Sequence, residues 1–296
     1  MKDLKYWIWL SRIENIGSIK LQRLLDKFKT PLGIWKAEYE KLIEVEGIGE
    51  KLAKDILDKK YRIGLELYQK YMEEHNIELI NIFDKDYPNK LKELYDKPII
   101  LFVKGNKKIL NDFSIAIIGC RENSKYGEVS ANKIAGELAK SNIITVSGLA
   151  RGIDSIGHNA TLKENGKTIA VIGSGLDNIY PKENIDLANE IIKKGGAIVS
   201  EYVIGTKPSK MNFPARNRII SGLSDGVVVI EARKKSGTMI TVDFALEQGK
   251  EVFAVPGSIF SKNSEGTNEL IKQGAKLVSS INDILEEFDG LNSNKF

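Results

Sequence analysis

Short, continuously apolar runs alternate with amphipathic stretches over residues 111–281. Helix-like spacing of apolar residues falls between the runs, for example over 126–141, 182–194 and 239–248. Strands that are apolar throughout and separated by helices are typical of a parallel sheet covered on both faces. The runs occupy residues 115–119, 143–148, 168–173, 197–200, 226–232, 251–257 and 276–280. Most end in Gly, Ser or Pro, so turns follow the carboxyl ends of the strands, where open α/β sheets bind ligands.

Two further apolar runs precede this region, at residues 77–84 and 98–105. They predict extra strands that join the sheet, with a short helix flanked by turns between them. We therefore predict an α/β domain over residues 76–290, built on an extended parallel sheet with helices on both faces. A small all-helical domain over residues 1–75 precedes it.

The N-terminal 75 residues are predicted to be helical because their apolar positions recur at helical spacing, as at Leu21, Leu24, Leu25 and Phe28. The segments 13–17 and 45–49 form a weak internal repeat that resembles the helix-hairpin-helix pattern of SAM-like domains. Glycine turns of this kind can present backbone N–H groups to a phosphate, or merely connect packed helices. Asn15 replaces a glycine in the first copy, and Glu46 and Glu50 flank the second turn, which favours packing.

The composition argues against a membrane protein, a secreted protein and a Cys- or His-rich metal-binding protein. The 296 residues are 42% hydrophobic and 28% charged, with a net charge of +4 and no apolar run long enough to span a bilayer. The start lacks the features of a signal peptide. A single cysteine, Cys120, and only two histidines argue against a disulfide and against a Cys- or His-rich metal site. We predict a soluble cytoplasmic protein with no membrane contact and no cofactor.

The first candidate site is the turn Ile118–Gly127, between a strand and a helix. A turn in this position directs N–H groups and a helix dipole at an anion, and Arg121 adds a planar donor for phosphate oxygens. The turn matches neither the G-x-G-x-x-G dinucleotide pattern nor the Walker A loop, which argues against NAD or ATP. An ordinary turn with a surface arginine is the alternative.

The second candidate is the segment 147–154, again after a strand. Gly148 and Gly152 provide backbone freedom. Asp154 is expected either to cap the next helix or to pair with Arg151. His158, one turn further on, is interpreted as a residue that either packs in the core or supports a neighbouring site residue, because no nucleophile or second base lies near it in the sequence.

The most informative segment is 202–224, which contains no acidic residue and carries a local charge of +4. A cationic segment with an aromatic residue suits single-stranded nucleic acid, whose phosphates need neutralising and whose bases stack on a ring. The alternative is a solvated basic helix start with the aromatic ring in the core. The candidate contacts are Lys210, Phe213, Arg216, Asn217 and Arg218.

The fourth candidate is the segment 231–238, after another apolar strand. We expect this segment to cap the following helix through Ser236, Gly237 and Thr238. The two alternatives are a cap alone and a cap that also holds a phosphate. No nucleophile in the sequence has a base and an orienting acid placed for catalysis. We therefore predict a binding protein rather than an enzyme.

Seven ordered motifs together resemble the DNA processing protein A family, also called Smf. They are GCRENSKYG (119–127), SGLARGID (147–154), GSGLDNIYP (173–181), FPARNRIISGLS (213–224), EARKKSGTMIT (231–241), AVPG (254–257) and GTNELIKQGA (266–275). The order and spacing fit over roughly residues 80–280. A winged-helix-like C-terminal domain, which many members carry, is not expected in this sequence. Cys120 stands where the family often has Ser or Thr.

The resemblance implies an extended Rossmann-like domain that binds single-stranded DNA without hydrolysing it. It also implies a homodimer that protects incoming DNA and helps to load the RecA recombinase in natural transformation and recombination. The family's phosphate-binding positions fall on Gly119, Arg121, Lys210, Phe213 and the Ser236-Gly237 turn, and its R-N-R motif on Arg216–Arg218. The competing class is a Rossmann-like nucleotide-processing enzyme of the phosphoribohydrolase type, which Ser236–Thr238 and the preceding Glu231 echo only in part.

Overall fold

One mixed sheet of nine strands organises residues 3–288, the part of the chain that the computed structural model describes. The strand order is β1-β2-β6-β5-β4-β3-β7-β8-β9. The strands are β1 (Ile77–Asn81), β2 (Ile100–Gly105), β3 (Ser114–Ile118), β4 (Ile144–Ser147), β5 (Thr168–Ile172), β6 (Ala197–Ser200), β7 (Gly226–Val229), β8 (Glu251–Ala254) and β9 (Lys276–Leu277). Residues 289 and 290, the predicted end of the second domain, lie outside the described part.

Strands β3 to β9 pair in parallel, as the apolar runs predict; the central strand β3 has β4 on one side and β7 on the other. The two extra strands also join the sheet as predicted, but β2 pairs antiparallel with both β1 and β6. The sheet is therefore parallel over seven strands and antiparallel at one edge. Antiparallel neighbours need no helical crossover, which fits the single turn of helix between β1 and β2.

Helices cover both faces of the sheet. They are α8 (Asn89–Lys92), α9 (Lys125–Lys140), α10 (Ile153–Lys163), α11 (Ile185–Lys193), α12 (Asn212–Leu223), α13 (Gly237–Glu247), α14 (Glu265–Lys272) and α15 (Asn282–Leu285). Successive side chains of a strand point to opposite faces. Ile115 and Ile117 of β3 accordingly pack in one buried cluster with α9 and α10, while Ala116 and Ile118 pack in another with α12 and α13.

The N-terminal segment is helical as predicted. Its helices are α1 (Leu4–Arg12), α2 (Ser18–Phe28), α3 (Pro31–Lys36), α4 (Tyr39–Ile43), α5 (Glu50–Leu57), α6 (Lys59–Arg62) and α7 (Leu65–Glu74). The two repeated glycine turns end at Gly17 and Gly49, which are the N-caps of α2 and α5. Of these fifteen helices, none is long and apolar enough to cross a membrane, a statement that covers the described residues only.

The predicted boundary between residues 75 and 76 separates two sequence patterns but not two cores. One cluster of buried side chains contains Trp9 and Leu24 from the helical segment together with Phe102 and Ile198 from the sheet. The N-terminal helices thus cover one end of a sheet face. Their packing closes the apolar surface that β2 and β6 present on that side.

Candidate nucleic-acid interface

A crevice of about 660 Å³ lies outside the carboxyl ends of β3, β4 and β7. The strand order reverses here, because β4 lies on one side of β3 and β7 on the other. Open α/β sheets form their ligand sites at such switch points. The crevice brings together nine of the ten residues that the sequence analysis proposes as contacts: Gly119, Arg121, Lys210, Phe213, Arg216, Asn217, Ser236, Gly237 and Thr238. Segments far apart in the sequence therefore meet at one site.

Two cations at the edge of the crevice, Arg121 and Lys210, are exposed. Among residues 3–288 neither side chain has a hydrogen-bond or ion-pair partner; the Arg121 guanidinium carbon lies 5.8 Å from the centre of the Phe213 ring. Arg121 follows β3 directly, and Lys210 precedes α12. Because no internal carboxylate neutralises them, both charges are available to an external anion.

Phe213 occupies the first turn of α12 and is partly exposed in the crevice. Its ring centre lies 5.6 Å from that of Tyr180, with 36° between the ring planes. The ring belongs to none of the three buried hydrophobic clusters found within residues 3–288. The geometry therefore favours the crevice-facing interpretation of Phe213 over the alternative of a core ring.

Arg216 forms the floor of the crevice and is 5% exposed. Its Nη1 donates to the carbonyl oxygens of Val171 and Gly148, the latter at 2.7 Å. A Cβ on Gly148 would lie 2.6 Å from both Arg216 Nη1 and Asp154 Oδ2, so a larger residue there would displace these two side chains. Burial lowers the pKa of Arg216 to about 10, which still leaves it charged at neutral pH. Arg216 thus holds the ends of β4 and β5 together beneath the crevice.

Asp154 takes neither of the two roles that the sequence suggests. Gly152 is the N-cap of α10, and Arg151 pairs with Glu183 at 2.5 Å. Asp154 instead accepts hydrogen bonds from the backbone N–H groups of Gly148 (3.2 Å) and Ala150 (3.4 Å). Its carboxylate therefore shapes the turn after β4 from inside.

His158 is a buried packing residue, one of the two predicted alternatives, and lies under the same turn. Its Nδ1 is 2.7 Å from Thr168 Oγ1. Since the Thr168 hydroxyl donates to Thr145 O, the imidazole Nδ1 is the donor in this pair. Burial and the positive charge of Arg216 lower the pKa of His158 to about 3, so the ring is neutral.

Arg218 is the tenth proposed contact, and the structure corrects it. The side chain is 5% exposed and does not line the crevice. It forms ion pairs with Asp96 at 3.0 Å and Glu201 at 2.8 Å. Residues two apart on a helix point about 200° apart. Arg216 therefore faces the crevice floor, while Arg218 faces carboxylates on the other side of α12.

The N-terminus of α13 opens into the crevice. Ser236 is its N-cap, but the Ser236 side chain makes no capping hydrogen bond, and its Oγ is buried without a partner among the described residues. Asn217 Nδ2 reaches Gly237 O at 3.4 Å and ties α12 to this turn. Of the two alternatives for Ser236–Thr238, the missing side-chain cap favours a helix start that also receives a phosphate.

The N-terminus of α9 differs, and here the first candidate is corrected. Ser124 caps that helix through a hydrogen bond from Gly127 N. The buried carboxylate of Glu231 accepts from Ser124 N at 2.9 Å and from Ser124 Oγ at 2.5 Å. An internal anion therefore occupies this helix start. The turn after β3 offers Arg121 to a ligand, but not the helix dipole.

The Cys120 thiol is protonated at neutral pH and is therefore not an activated nucleophile. Burial and the Glu231 carboxylate, 3.6 Å from Sγ, raise the pKa of the thiol to about 12. Within residues 3–288, no group of three or more His, Cys, Asp or Glu side chains is arranged to hold a metal ion.

The proposed contacts leave out several residues that line the crevice, among them Tyr180 and, within the fourth candidate segment, Arg233 and Lys235. All three lie inside motifs that carry the family resemblance, so the signal was present. Arg233 also pairs with Glu122 at 3.2 Å across the crevice edge.

Fold and site together define a class of protein: a doubly wound α/β protein whose crevice at the switch point offers exposed cations, an accessible aromatic ring and an open helix N-terminus. Residues 78–289 match the family model of DNA recombination-mediator protein A, and the chain belongs to this family. The resemblance drawn from the seven motifs is thereby confirmed.

Curated relatives agree. The DNA processing protein DprA of Streptococcus pneumoniae is 48% identical over 209 residues, which cover 71% of this chain and 73% of the relative. DprA of Bacillus subtilis is 47% identical over 215 residues, 72% of each chain. Both alignments cover most of this chain.

Solved structures agree as well. The crystal structure of DprA from Streptococcus pneumoniae superposes with a TM-score of 0.82 and 37% identity over 96% of this chain and 98% of its own. DNA processing protein A from Helicobacter pylori, whose structure is described in terms of a unique single-stranded DNA binding mode, superposes with a TM-score of 0.64 and 33% identity. That alignment covers 71% of this chain and 94% of its own. The predicted fold class is confirmed.

Proposed function

We propose that this protein binds single-stranded DNA in the crevice, mainly through phosphates and with little sequence preference. The observation that carries the proposal is the pair of exposed cations Arg121 and Lys210, unpaired among residues 3–288, which line the crevice together with the accessible Phe213 ring. Charge-assisted hydrogen bonds to phosphate and stacking of a base on a ring are the two contacts that such proteins combine.

A single strand fits this site better than a duplex. Phe213 lies inside the crevice beside Tyr180, so a base must turn its face into the crevice to reach the ring. Bases in a duplex are stacked on each other, whereas those of a single strand can be splayed onto an aromatic side chain. Phosphate contacts hold the strand without reading its sequence.

The test is an anisotropy titration of a labelled oligothymidylate and of a duplex of equal length, repeated at several salt concentrations. We expect preference for the single strand and an affinity that falls steeply with salt, because phosphate neutralisation releases counterions. Equal affinity for the duplex, or a flat salt response, would contradict the proposal.

The enzyme alternative receives less support from the site. A phosphoribohydrolase needs a carboxylate facing its substrate, whereas Glu231 is 1% exposed and already accepts two hydrogen bonds from Ser124. Incubation with nucleoside monophosphates distinguishes the two classes. Release of free base would favour the enzyme, while oligonucleotide binding with no turnover favours the binding protein.

We further propose that the protein acts in the cytoplasm as a homodimer that protects incoming single-stranded DNA and helps to load RecA during natural transformation and recombination. The family membership supports this part of the proposal. Two crevices on one strand would raise the apparent affinity by about 10²–10⁴ through effective concentration.

Light scattering at micromolar protein checks the dimer: about 66 kDa is expected, twice the 33.0 kDa of one chain. RecA filament formation on DNA coated with single-strand binding protein checks the loading role. A monomer at every concentration would remove the dimer, and an unchanged rate of filament formation would remove RecA loading.

A further inference from the structure

The loop between β8 and α14, residues 255–264, exposes two apolar side chains: Ile259 is 83% exposed and Phe260 is 91% exposed. Hydrogen bonds hold the loop in shape. Asn268 donates to Gly257 O at 3.0 Å and accepts from Gly257 N at 3.1 Å, and Ser258 Oγ accepts from Phe260 N at 3.2 Å. The two side chains are therefore displayed from a fixed backbone.

The loop adjoins the crevice through Asn263. The Asn263 side chain donates to Glu122 O at 2.9 Å and accepts from Arg233 Nε at 3.3 Å. Its carbonyl oxygen accepts from Ala232 N at 2.8 Å. Glu122 and Arg233 both line the crevice. Phe260 lies three positions before Asn263 in the chain, so their Cα atoms are at most about 10 Å apart. The edge of the crevice thus continues into this loop.

Cations that are unpaired within the described part of the chain lie on and beside the loop, together with Glu265, which follows it directly, and Glu122, which pairs with Arg233. Residues 255–264 contain Lys262 and no acidic residue. Lys234 and Lys235, on the neighbouring turn, are exposed and form no ion pair with any residue of the described range 3–288. An exposed aromatic ring among free cations has the composition of a surface for single-stranded nucleic acid.

We propose that Phe260, supported by Ile259, is a second base-stacking site, which receives nucleotides as the strand leaves the crevice past Arg233. This inference rests on the proposed function, because it extends the same binding path. It commits to bases of single-stranded DNA as the occupant. Two side chains on a narrow, cation-flanked loop would supply only a small part of the roughly 800 Å² per partner that a standard protein interface buries.

The test compares Phe260→Ala with the parent on oligothymidylates of increasing length and on an abasic phosphodiester of matched length. For strands long enough to leave the crevice, stacking worth about 1–3 kcal/mol per base corresponds to a loss of about 5- to 150-fold. Affinity for the shortest strands and for the abasic strand should be unchanged. The salt slope should also be unchanged, because no phosphate contact is removed.

Tyr95→Ala is the matched control. Tyr95 is an exposed aromatic residue, at 84%, but it lines a different cavity, whose charged residues are Lys90, Glu93, Asp96, Glu247 and Lys250. Its removal should leave binding of every strand unchanged.

Phe260→Trp adds a direct signal. The native tryptophans, Trp7, Trp9 and Trp35, all lie in the N-terminal helices, so the fluorescence difference between variant and parent reports on the loop. Long single strands should quench this added fluorescence, and the abasic strand should not.

Parental affinity of Phe260→Ala at every length would overturn the stacking site while leaving the proposed function intact. A lower mass of that variant in light scattering would overturn it too, by showing that a second copy covers the loop. Failure of the parent itself to bind single strands is the separate outcome that removes the proposed function.

Discussion

The rim and the floor of the crevice use the same kind of side chain in opposite ways. Arg121 and Lys210 at the rim are exposed and unpaired within the described residues, whereas Arg216 at the floor is buried and bonded to carbonyls, and Arg218, on the other side of α12, is buried and bonded to carboxylates. A cation can receive an external phosphate only when no internal partner neutralises it. Positive charge in the sequence therefore locates a binding region without distinguishing its contacts from its supports.

The largest effect should come from Arg218→Ala. Removal of the guanidinium leaves Asp96 and Glu201 without their partner at a site where Arg218 is 5% exposed. Breaking a buried pair in this way costs about 3 kcal/mol of unfolding free energy, the lower end of the usual range because both carboxylates retain some hydration. Urea denaturation measures the loss. A stable variant with weakened DNA binding would instead show that Arg218 reaches the strand.

Arg121→Ala and Lys210→Ala should give the reverse pattern. Each removes a charge-assisted contact worth about 1–3 kcal/mol, or about 5- to 150-fold in affinity for single strands. The melting temperature should stay the same because both side chains are exposed and unpaired among residues 3–288. Loss of stability in either variant would place that residue with the floor and not the rim.

Phe213→Ala distinguishes the two regions by a different property. A stacking ring predicts an affinity loss of about 1–3 kcal/mol with little change in stability. A core ring predicts a stability loss of about 3–5 kcal/mol with unchanged affinity of the folded protein. We expect the first result, since the ring lines the crevice and lies outside the buried clusters of the described chain.

Acid should lower the stability of the protein through His158, which is buried beneath the turn after β4. Its pKa is about 3 in the folded protein and 6.5 when unperturbed, so the unfolded chain binds the proton more readily. The stabilisation is complete above pH 6.5 and falls as the pH decreases toward 3. Lowering the pH from 7 to 5 should therefore reduce the free energy of unfolding by about 2 kcal/mol through this residue. Urea denaturation at both pH values checks this, with His158→Asn as the control that should remove most of the difference.

Substitutions near the N-terminal glycine turns should have the smallest effect on affinity for single strands. Arg23 fills the second turn: it donates to Glu46 O at 3.2 Å and pairs with the Glu46 carboxylate at 3.1 Å. By the same rule as for α12, this internal partner favours packing over phosphate contact. Lys20→Ala and Lys51→Ala should change affinity for single strands by about twofold or less. A larger loss in the titration would add the hairpins to the binding surface.

Local patterns in the sequence are enough to predict the parallel strands and their turns, because a buried strand and a glycine after it are short-range features. One partner of Arg218, Asp96, lies 122 residues away in the chain, and only the fold brings the two together. Glu231 reaches Ser124 across a similar separation. The sequence did carry one unused signal: Arg216, Ile219, Ile220 and Leu223 follow helical spacing, which places Arg216 on the buried face of α12.

The shared core of the N-terminal helices and the sheet has a practical consequence for dissecting the molecule. Cutting the chain before residue 76 would uncover Phe102 and Ile198, which now pack in one cluster with Trp9 and Leu24. Contiguous apolar surface released in this way promotes aggregation. A truncated protein would therefore lose solubility together with any contribution of the hairpins to binding. Single surface substitutions leave the shared core intact. They are therefore the better way to find which of the two regions contributes to binding.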